Sequence, residues 1–325
     1  MAERGRNYLS GALSLQCRCA RPVRFLRIRC LMTIRKSLPA GLACFFAIFA
    51  ACSDVRLEGP SDDPQRIELV TAVADVASCT SSGDEATSAI VDTLPGLILM
   101  AGDIAYESGT AEQFSSCYQP SWGRHRERTR PAPGNHEYET EGAAPYYAYF
   151  GANAGPAGRG YYSFNHGAWH IVSLNSNIDV SAGSPQETWL RRDLAANPAK
   201  CTLAFWHHPL FSSGFHGNTP GMAPLWRALQ EAGAEIVISG HDHHYERLAP
   251  QSADGVATPR GIRQFVVGGG GASLFPALFF TANSEARFDA GYGVLRLTLG
   301  ETSYQWNFVP VTPGAFADSG SGNCN

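Results

Sequence analysis

Short apolar runs alternate with longer amphipathic stretches along the chain from residue 67 onward. Runs rich in β-branched and aromatic residues predict strands, and stretches with apolar positions at helical spacing predict helices. Predicted strands lie at residues 67–74, 97–101, 129–133, 160–164, 169–175, 202–206, 235–239, 263–267, 292–299 and 304–309. Predicted helices lie at residues 85–94, 110–118, 185–196 and 223–232. Strand–helix alternation followed by a run of strands favours a mixed α/β layered domain.

The residues before this region have a different pattern. Residues 32–52 join a short basic stretch to an apolar run, which has the length of a secretory signal rather than of a membrane span. The run ends in Phe-Ala-Ala-Cys52, which resembles a bacterial lipobox, and ordinary signal-peptidase cleavage is the alternative. We therefore expect an exported protein, periplasmic or at the cell surface, with a lipid anchor at Cys52 as one form. The predicted segments are a mis-called upstream start (1–31), a signal peptide (32–52), a polar linker (53–65) and a globular domain (66–325).

The charge of the predicted domain argues against polyanionic partners. The chain has a formal net charge of −4, but nine of its 25 Lys and Arg and only one of its 29 Asp and Glu precede residue 53. The remainder therefore has 16 basic and 28 acidic residues, a net charge of −12. Such a domain repels nucleic acid and anionic lipid unless its basic residues cluster. We expect no nucleic-acid surface, and membrane contact only through a lipid anchor.

Four of the nine cysteines lie in the predicted domain, namely Cys79, Cys117, Cys201 and Cys324. An even number in an exported protein indicates two disulfides, for which three connectivities exist. Cys79 and Cys117 follow predicted elements at one end of the domain, whereas Cys201 begins its strand at the opposite end. This placement favours the pairs Cys79–Cys117 and Cys201–Cys324.

Five segments share one design, in which an apolar strand ends and a residue of metal-ligand type follows at once. They are Thr71-Ala-Val-Ala-Asp75, Ile98-Leu-Met-Ala-Gly-Asp103-Ile-Ala-Tyr106, Pro133-Gly-Asn135-His136-Glu137, Phe205-Trp-His207-His208-Pro209 and Ile236-Val-Ile-Ser-Gly-His241-Asp242-His243. Ligands gather beyond the carboxyl ends of strands in α/β sheets, so we expect these residues to converge. The glycines at 102, 134 and 240 allow sharp turns before the ligands. Each segment alone is a common loop, but five in order indicate a metal site.

The donor types suit two metal ions. A dinuclear site needs a bridging oxygen ligand, and the two oxygens of the Asp103 carboxylate suit that role. Hard and borderline donors for each ion are supplied by Asp75, Asn135, His207, His241 and His243, together with Tyr106 as a phenolate. Two ions about 3.5–4 Å apart can clamp a phosphoryl group and generate hydroxide near neutral pH.

The motifs resemble those of the calcineurin-like metallophosphoesterase superfamily and, within it, the purple acid phosphatases. Gly-Asp103-Ile-Ala-Tyr106 has a tyrosine three residues after the bridging aspartate. Gly-His241-Asp-His243-His-Tyr-Glu-Arg is similar to the family's Gly-His-x-His-x-Tyr-Glu-Arg, and His207-x-Pro is followed nine residues after His207 by another histidine. The similarity covers roughly residues 67–310 and is greatest to short bacterial exported members; alanine stands before Asp75, where the family usually has glycine.

The resemblance implies a fold and a set of ligands. The fold would be a four-layer αββα sandwich, with two mixed β-sheets flanked by helices and the dimetal site at the strand ends of residues 66–325. The ferric site would hold Asp75, Asp103, Tyr106 and His243. The second site would hold Asp103, Asn135, His207 and His241 around a divalent zinc, manganese or iron ion. His136 and His216 match the family's paired outer-sphere histidines, which bind phosphate and assist the leaving group.

The leading functional hypothesis is an acid-phosphatase-type phosphomonoesterase that uses metal-bound hydroxide on a small phosphate ester. In this hypothesis His136 or His216 protonates the leaving oxygen. A phosphodiesterase acting on nucleotides or lipid head groups is the alternative enzyme. A cell-surface protein that holds metal and binds ligand without turnover is the alternative from another class.

The sequence also predicts roles for residues outside the ligand set. Trp122, Tyr146, Tyr147, Tyr149 and Phe150 form an aromatic group, interpreted as core packing, with a wall for an aromatic leaving group as the functional alternative. Asp242 is a candidate acceptor that orients an adjacent histidine. Glu246 and Arg247 are expected to form a structural pair beneath the last metal loop.

Overall fold

The structure is a computed structural model that describes residues 67–325. The predicted upstream start, signal peptide, Cys52 lipid site and linker lie outside the described residues and stay predictions. Within the part of the chain that the structure describes, no helix is both long enough and apolar enough to cross a membrane.

Thirteen strands form two mixed sheets within residues 67–325. The strands are β1 (Glu68–Val73), β2 (Leu97–Ala101), β3 (Thr129–Ala132), β4 (Tyr162–His166), β5 (Trp169–Ser173), β6 (Cys201–Phe205), β7 (Ile236–Ser239), β8 (Tyr245–Leu248), β9 (Arg263–Val267), β10 (Ser284–Phe288), β11 (Gly293–Leu299), β12 (Ser303–Pro310) and β13 (Ser319–Asn323). The first sheet has the order β13-β12-β11-β1-β2-β3, and the second has the order β10-β8-β9-β7-β6-β5-β4.

Helical segments connect the strands and cover the outer faces of the sheets. The α-helices are α1 (Gly83–Val91), α2 (Ala111–Gln113), α3 (Gln119–Ser121), α4 (Asn135–Tyr138), α5 (Ala144–Phe150), α6 (Pro185–Ala196) and α7 (Ala223–Glu231). Helix α6 begins where its sequence specifies, because Ser184 accepts the amide of Glu187 at 3.2 Å and Pro185 occupies the first turn.

The strand directions place several strand ends at one edge of each sheet. In the first sheet β1 is parallel to β2, with Val70 opposite Leu97, and β2 is parallel to β3. In the second sheet β5, β6, β7 and β9 are mutually parallel, with Leu203 opposite Ile236. The residues after β1, β2, β3, β6 and β7 therefore emerge at carboxyl ends, where α/β sheets bind ligands.

Three buried apolar clusters separate the layers. One lies between the two sheets and includes Val70, Phe205 and Trp306. A second packs the outer side of the first sheet against α1 and α5, and the third packs the second sheet against α6 and α7. Helices, two sheets and helices thus form four layers, which confirms the predicted fold class. Both predicted disulfides, Cys79–Cys117 and Cys201–Cys324, are also present, with Cα separations of 4.9 and 5.4 Å.

The sequence pattern misplaced some elements. The predicted helix at 110–118 is α2, then a π-helical turn at Phe114–Tyr118 that leads into α3. Strands β8, β10 and β13 and helix α5 were not predicted. In the aromatic group Trp122, Tyr146 and Phe150 are at most 2% exposed and belong to the second cluster, as core packing requires. Tyr147 and Tyr149 are partly exposed but pack against the same cluster, so the structure favours core packing for this group.

Candidate metal centre

Three of the loops at the strand ends hold a non-glycine residue in the left-handed backbone region. Asp75, Asp103 and His241 have φ angles of 58°, 50° and 71°. Only two other non-glycine residues among those described, Ala143 and Asn283, have positive φ. Side chains rarely adopt this conformation, and its cost of about 1–3 kcal/mol persists where the surroundings enforce it. The backbone strain is thus concentrated at the predicted ligands.

Two of the glycines are required because a carboxylate of another loop approaches them closely, not because the backbone turns there. Gly134 is extended, with φ −100° and ψ −174°, but a Cβ there would overlap the carboxylate of Asp103. A Cβ on Gly240 would lie 2.5 Å from Asp75 Oδ2. The expected sharp turn is therefore not the reason for glycine at positions 134 and 240. The absent side chains leave space in which the ligand carboxylates of neighbouring loops fit.

Asp75, Tyr106 and His243 form a group that we call the phenol cluster. Tyr106 Oη lies 2.9 Å from Asp75 Oδ1, 3.0 Å from His243 Nε2 and 3.2 Å from Oδ2 of Asp103. His243 Nδ1 donates to the carbonyl oxygen of Ser273, so Nε2 of the neutral ring presents a lone pair to the cluster. Burial, reinforced by the carboxylates of Asp103 and Asp75, raises the pKa of Tyr106 well above its ordinary value. The one phenolic proton therefore faces three acceptor atoms, in a site from which water is largely excluded.

Asn135, His207 and His241 form the imidazole cluster on the other side of Asp103. His207 Nε2 lies 3.1 Å from Asp103 Oδ2, 3.1 Å from Asn135 Oδ1 and 3.2 Å from His241 Nδ1. His207 Nδ1 is 2.9 Å from the carbonyl oxygen of Ala101, to which it donates. The neutral ring of His207 would thus turn a lone pair toward a carboxylate, an amide oxygen and another imidazole nitrogen.

The donors of both clusters fit cations. Burial lowers the pKa of His207, but the Asp103 carboxylate outweighs it and raises that pKa to about 9, so the structure favours a positive charge between these two groups. Ligand atoms of Asp103, His207 and His241 lie within 4.8 Å of one another. Carboxylate oxygens, a phenol, an amide oxygen and imidazole nitrogens are donors for iron, zinc and manganese. The structure therefore brings all seven predicted ligand residues together, with Asp103 contacting both clusters.

Sequence reasoning gave no role to Glu137, which is fully buried. Its carboxylate accepts the backbone amides of Asp103 at 3.0 Å, Ile104 at 2.8 Å and Gly134 at 2.8 Å, and also that of Ala105 at 3.2 Å. The signal was present, since a glutamate three residues after a helix-start position is typical of a capping box. Glu137 ties the loop after β2 to the loop after β3, and so sets the distance between Asp103 and Asn135.

The two predicted outer-sphere histidines lie near the clusters. The backbone amide of His136 donates to Asp103 Oδ1 at 3.0 Å, and its Nε2 lies 3.7 Å from Asp103 Oδ2, with 23% of the side chain exposed. His136 Nδ1 contacts the carbonyl oxygen of Glu107. His216 is exposed, and its ring centroid lies 4.2 Å from that of His241. A third histidine, His208, was not singled out, yet its ring lies 4.3 Å from His241.

The expectations for three residues of the last metal loop need correction. Asp242 does not orient a neighbouring histidine ring; it accepts the backbone amide of His216 at 2.8 Å and the hydroxyl of Ser212. Glu246 and Arg247 do not pair with each other. Glu246 accepts the amide and hydroxyl of Ser213, and Arg247 pairs with Asp318 at 2.8 Å. Asp242 and Glu246 therefore hold the segment that carries His216.

Two helix-flanked mixed sheets carry carboxylate, phenol and imidazole donors together at their strand ends. The sequence model of the calcineurin-like phosphoesterase family matches residues 49–245, which is more than half of the chain, and the chain belongs to this family. The purple acid phosphatase-like motifs imply a dinuclear metal centre.

Curated plant proteins are similar to this chain in sequence. Purple acid phosphatase 15 of Arabidopsis thaliana is 31% identical over 229 residues, which cover 59% of this chain and 42% of that protein. Purple acid phosphatase 21 of the same plant is 30% identical over 230 residues, with 62% and 51% covered. The chain thus spans about half the length of the curated relatives it matches.

Two solved structures show the same fold. Purple acid phosphatase PPD1 from yellow lupin seeds superposes with a TM-score of 0.70 at 20% identity, covering 80% of this chain and 54% of the lupin chain. A dimetal phosphatase from Danio rerio superposes with a TM-score of 0.57 at 13% identity, covering 79% and 99%.

Proposed function

We propose that the protein is a two-metal phosphomonoesterase of the acid phosphatase type. The observation that carries the proposal is the position of Asp103, whose Oδ2 lies 3.2 Å from Tyr106 Oη in one donor cluster and 3.1 Å from His207 Nε2 in the other. A carboxylate between two donor clusters can serve both of them at once. Two bound ions would polarise phosphoryl oxygens and make a water molecule acidic near neutral pH.

In this proposal the phenol cluster and Asp103 hold Fe(III), and the imidazole cluster and Asp103 hold a divalent zinc, manganese or iron ion. A hard, highly charged cation favours a phenolate over a neutral phenol, which favours a trivalent ion on the side of Tyr106. Neutral imidazoles and an amide oxygen suit a borderline divalent ion.

His136 and His216 would act on the substrate rather than on the ions. The contact of His136 Nδ1 with the Glu107 carbonyl directs Nε2 toward Asp103, which is where a phosphate ester would lie. A protonated Nε2 can donate to the ester oxygen as the phosphorus–oxygen bond breaks, so the alcohol leaves neutral. The exposed ring of His216, beside His241, is placed to donate to a phosphate oxygen.

We further propose that the protein works outside the cytoplasm. Two disulfides within the described residues support export, because cytosolic thiols are kept reduced. Cell fractionation tests the lipid anchor separately. Lipidation is supported if the wild-type protein is found in the membrane fraction and the Cys52→Ser variant in the soluble fraction. Ordinary cleavage is supported if the wild-type protein is already soluble.

Hydrolysis of a generic aryl phosphate and of the matching bis-aryl diester, with metal analysis of the same sample, tests the function. Faster monoester hydrolysis with two ions per chain is the expected result. Preference for the diester would instead assign a phosphodiesterase, and bound metal without turnover of either ester would assign a metal-holding binding protein.

A further inference from the structure

Two aromatic side chains border the metal centre, and the proposed mechanism does not use them. Phe215 is 57% exposed, and its ring centroid lies 5.2 Å from that of His216. Phe275 stacks on His243 with centroids 4.3 Å apart and planes 13° apart, and it lies 5.8 Å from Phe215. We call this pair the aromatic rim. It extends from a predicted ligand of the phenol cluster to a predicted substrate-binding histidine.

Backbone and side-chain bonds hold the rim in place. Asp242, between the ligands His241 and His243, accepts the amide of His216 at 2.8 Å. On the other side the amide of Phe275 contacts the carbonyl oxygen of His243 at 3.3 Å, and the amide of Phe279 donates to Ser213 at 2.9 Å. The two rim segments are therefore tied to the metal loop and to each other. An exposed aromatic in this setting is a fixed part of the site rather than a loose loop tip.

The position of the rim defines what it can contact. A phosphate ester held by both clusters places its phosphoryl group at Asp103, and its leaving group must extend toward solvent past the outer histidines. His216 is one of those histidines, and Phe215 is the residue directly before it in the chain. An apolar ring leaving along this path would cover the exposed face of Phe215, and aromatic rings 4.5–7 Å apart attract each other beyond their buried area.

We infer that the aromatic rim of Phe215 and Phe275 selects phosphomonoesters whose leaving group is an apolar aryl group. This inference rests on the proposed function and names the substrate class of the same site. Phe215 is the specificity-determining residue, because Phe275 is already stacked on His243. Small polar esters, such as glycerol phosphate, would leave the rim uncovered.

The ratio of kcat/KM for 1-naphthyl phosphate to that for glycerol 1-phosphate measures the selectivity. Phe215→Ala should lower this ratio about 2–13-fold, the range expected for loss of one aromatic contact. Phe280→Ala is the control, since Phe280 is an 86% exposed aromatic in the segment that carries Phe275 and its ring packs under Arg287 at 4.4 Å. The ratio for the control should equal that of the wild type.

Binding separates this inference from the proposed function. Calorimetry with 1-naphthylmethylphosphonate and methylphosphonate should show that Phe215→Ala loses the same factor in relative affinity, with metal content equal to wild type. An unchanged preference in both assays overturns the inference even if hydrolysis is fast. If Phe215→Ala loses the binding preference but the wild-type protein hydrolyses neither ester, the role of the aromatic rim is supported and the phosphomonoesterase proposal is refuted.

Discussion

The phenol cluster and the imidazole cluster share Asp103 but differ in burial and in proton content. Asp75, Tyr106 and His243 are 0%, 5% and 6% exposed; in the imidazole cluster His207 is 0% exposed, but Asn135 and His241 are partly exposed. A cation would have to displace the phenolic proton of Tyr106 from the phenol cluster, whereas in the imidazole cluster the proton to be displaced is that of the His207 imidazolium, whose pKa is about 9. Two sites on one carboxylate can therefore differ in the cation charge they favour and in their access to substrate.

The largest effect is expected from substitution of Asp103, the residue that contacts both clusters. Asp103→Asn replaces a carboxylate that contacts both clusters by a neutral amide, so both ions should bind poorly and activity should fall below detection. Elemental analysis and aryl phosphate hydrolysis on the same preparation check this. Loss of one ion alone would show that Asp103 serves only one cluster.

A large effect with intact clusters is expected at His136. His136→Ala should lower kcat by about 10²–10⁴-fold, the range for loss of a general acid, while both ions stay bound. Its imidazole lies 3.7 Å from Asp103 Oδ2, farther than any of the predicted ligands in contact with that atom. Metal loss equal to that of Asp103→Asn would place His136 among the ligands instead.

Tyr106→Phe separates the clusters from each other. A phenolate bound to Fe(III) absorbs visible light, so iron-loaded protein should be violet or pink and the variant colourless, with kcat within about tenfold of wild type. Absorption spectra before and after iron loading, with kcat measured in parallel, check both parts. Colourless, fully active wild-type protein without iron on analysis would assign two divalent ions and refute the ferric site.

Asp84 is a buried carboxylate outside both clusters, and its substitution is expected to have a smaller effect, on stability rather than on metal binding. Burial, opposed by a hydrogen bond from Ser121, raises its pKa to about 6. The folded state thus binds this proton more tightly than the unfolded state, so the stability it contributes is present below about pH 4 and lost as pH rises through 6. Asp84→Asn should therefore add about 1–3 kcal/mol at pH 7.5 and nothing at pH 4.

Denaturant unfolding at both pH values measures that difference. Asp92→Asn is the control, since Asp92 lies just after the same helix, and its hydrogen bond with Arg124 holds its pKa below the ordinary value. Its substitution should lower stability slightly at pH 7.5, which is the opposite sign. A gain from Asp84→Asn that is equal at the two pH values would exclude the titration as its cause.

The sequence predicted those features that depend on local pattern. Asp75, Asp103, His207 and His241 each follow an apolar strand directly, and strand direction brings them together. The aromatic rim could not be predicted, because Phe215 and Phe275 are 60 positions apart and meet only through loop conformation. The same holds for other missed features. Asp242 contacts a backbone amide 26 residues away, Glu137 contacts amides 32–34 residues away, and β13 completes a sheet edge with polar residues that lack an apolar pattern.

The disulfide connectivity has a consequence for how the chain matures. Along the described residues the cysteines occur in the order Cys79, Cys117, Cys201, Cys324, and the native pairs are the first with the second and the third with the fourth. A chain that enters an oxidising compartment from its amino end exposes Cys117 before Cys201, so an oxidase that joins cysteines as they appear makes the correct pair first. Cys324 emerges after the other three described cysteines, of which only Cys201 is then still without its partner. Native oxidation therefore needs no reshuffling of earlier bonds, and an oxidase without a disulfide isomerase should suffice.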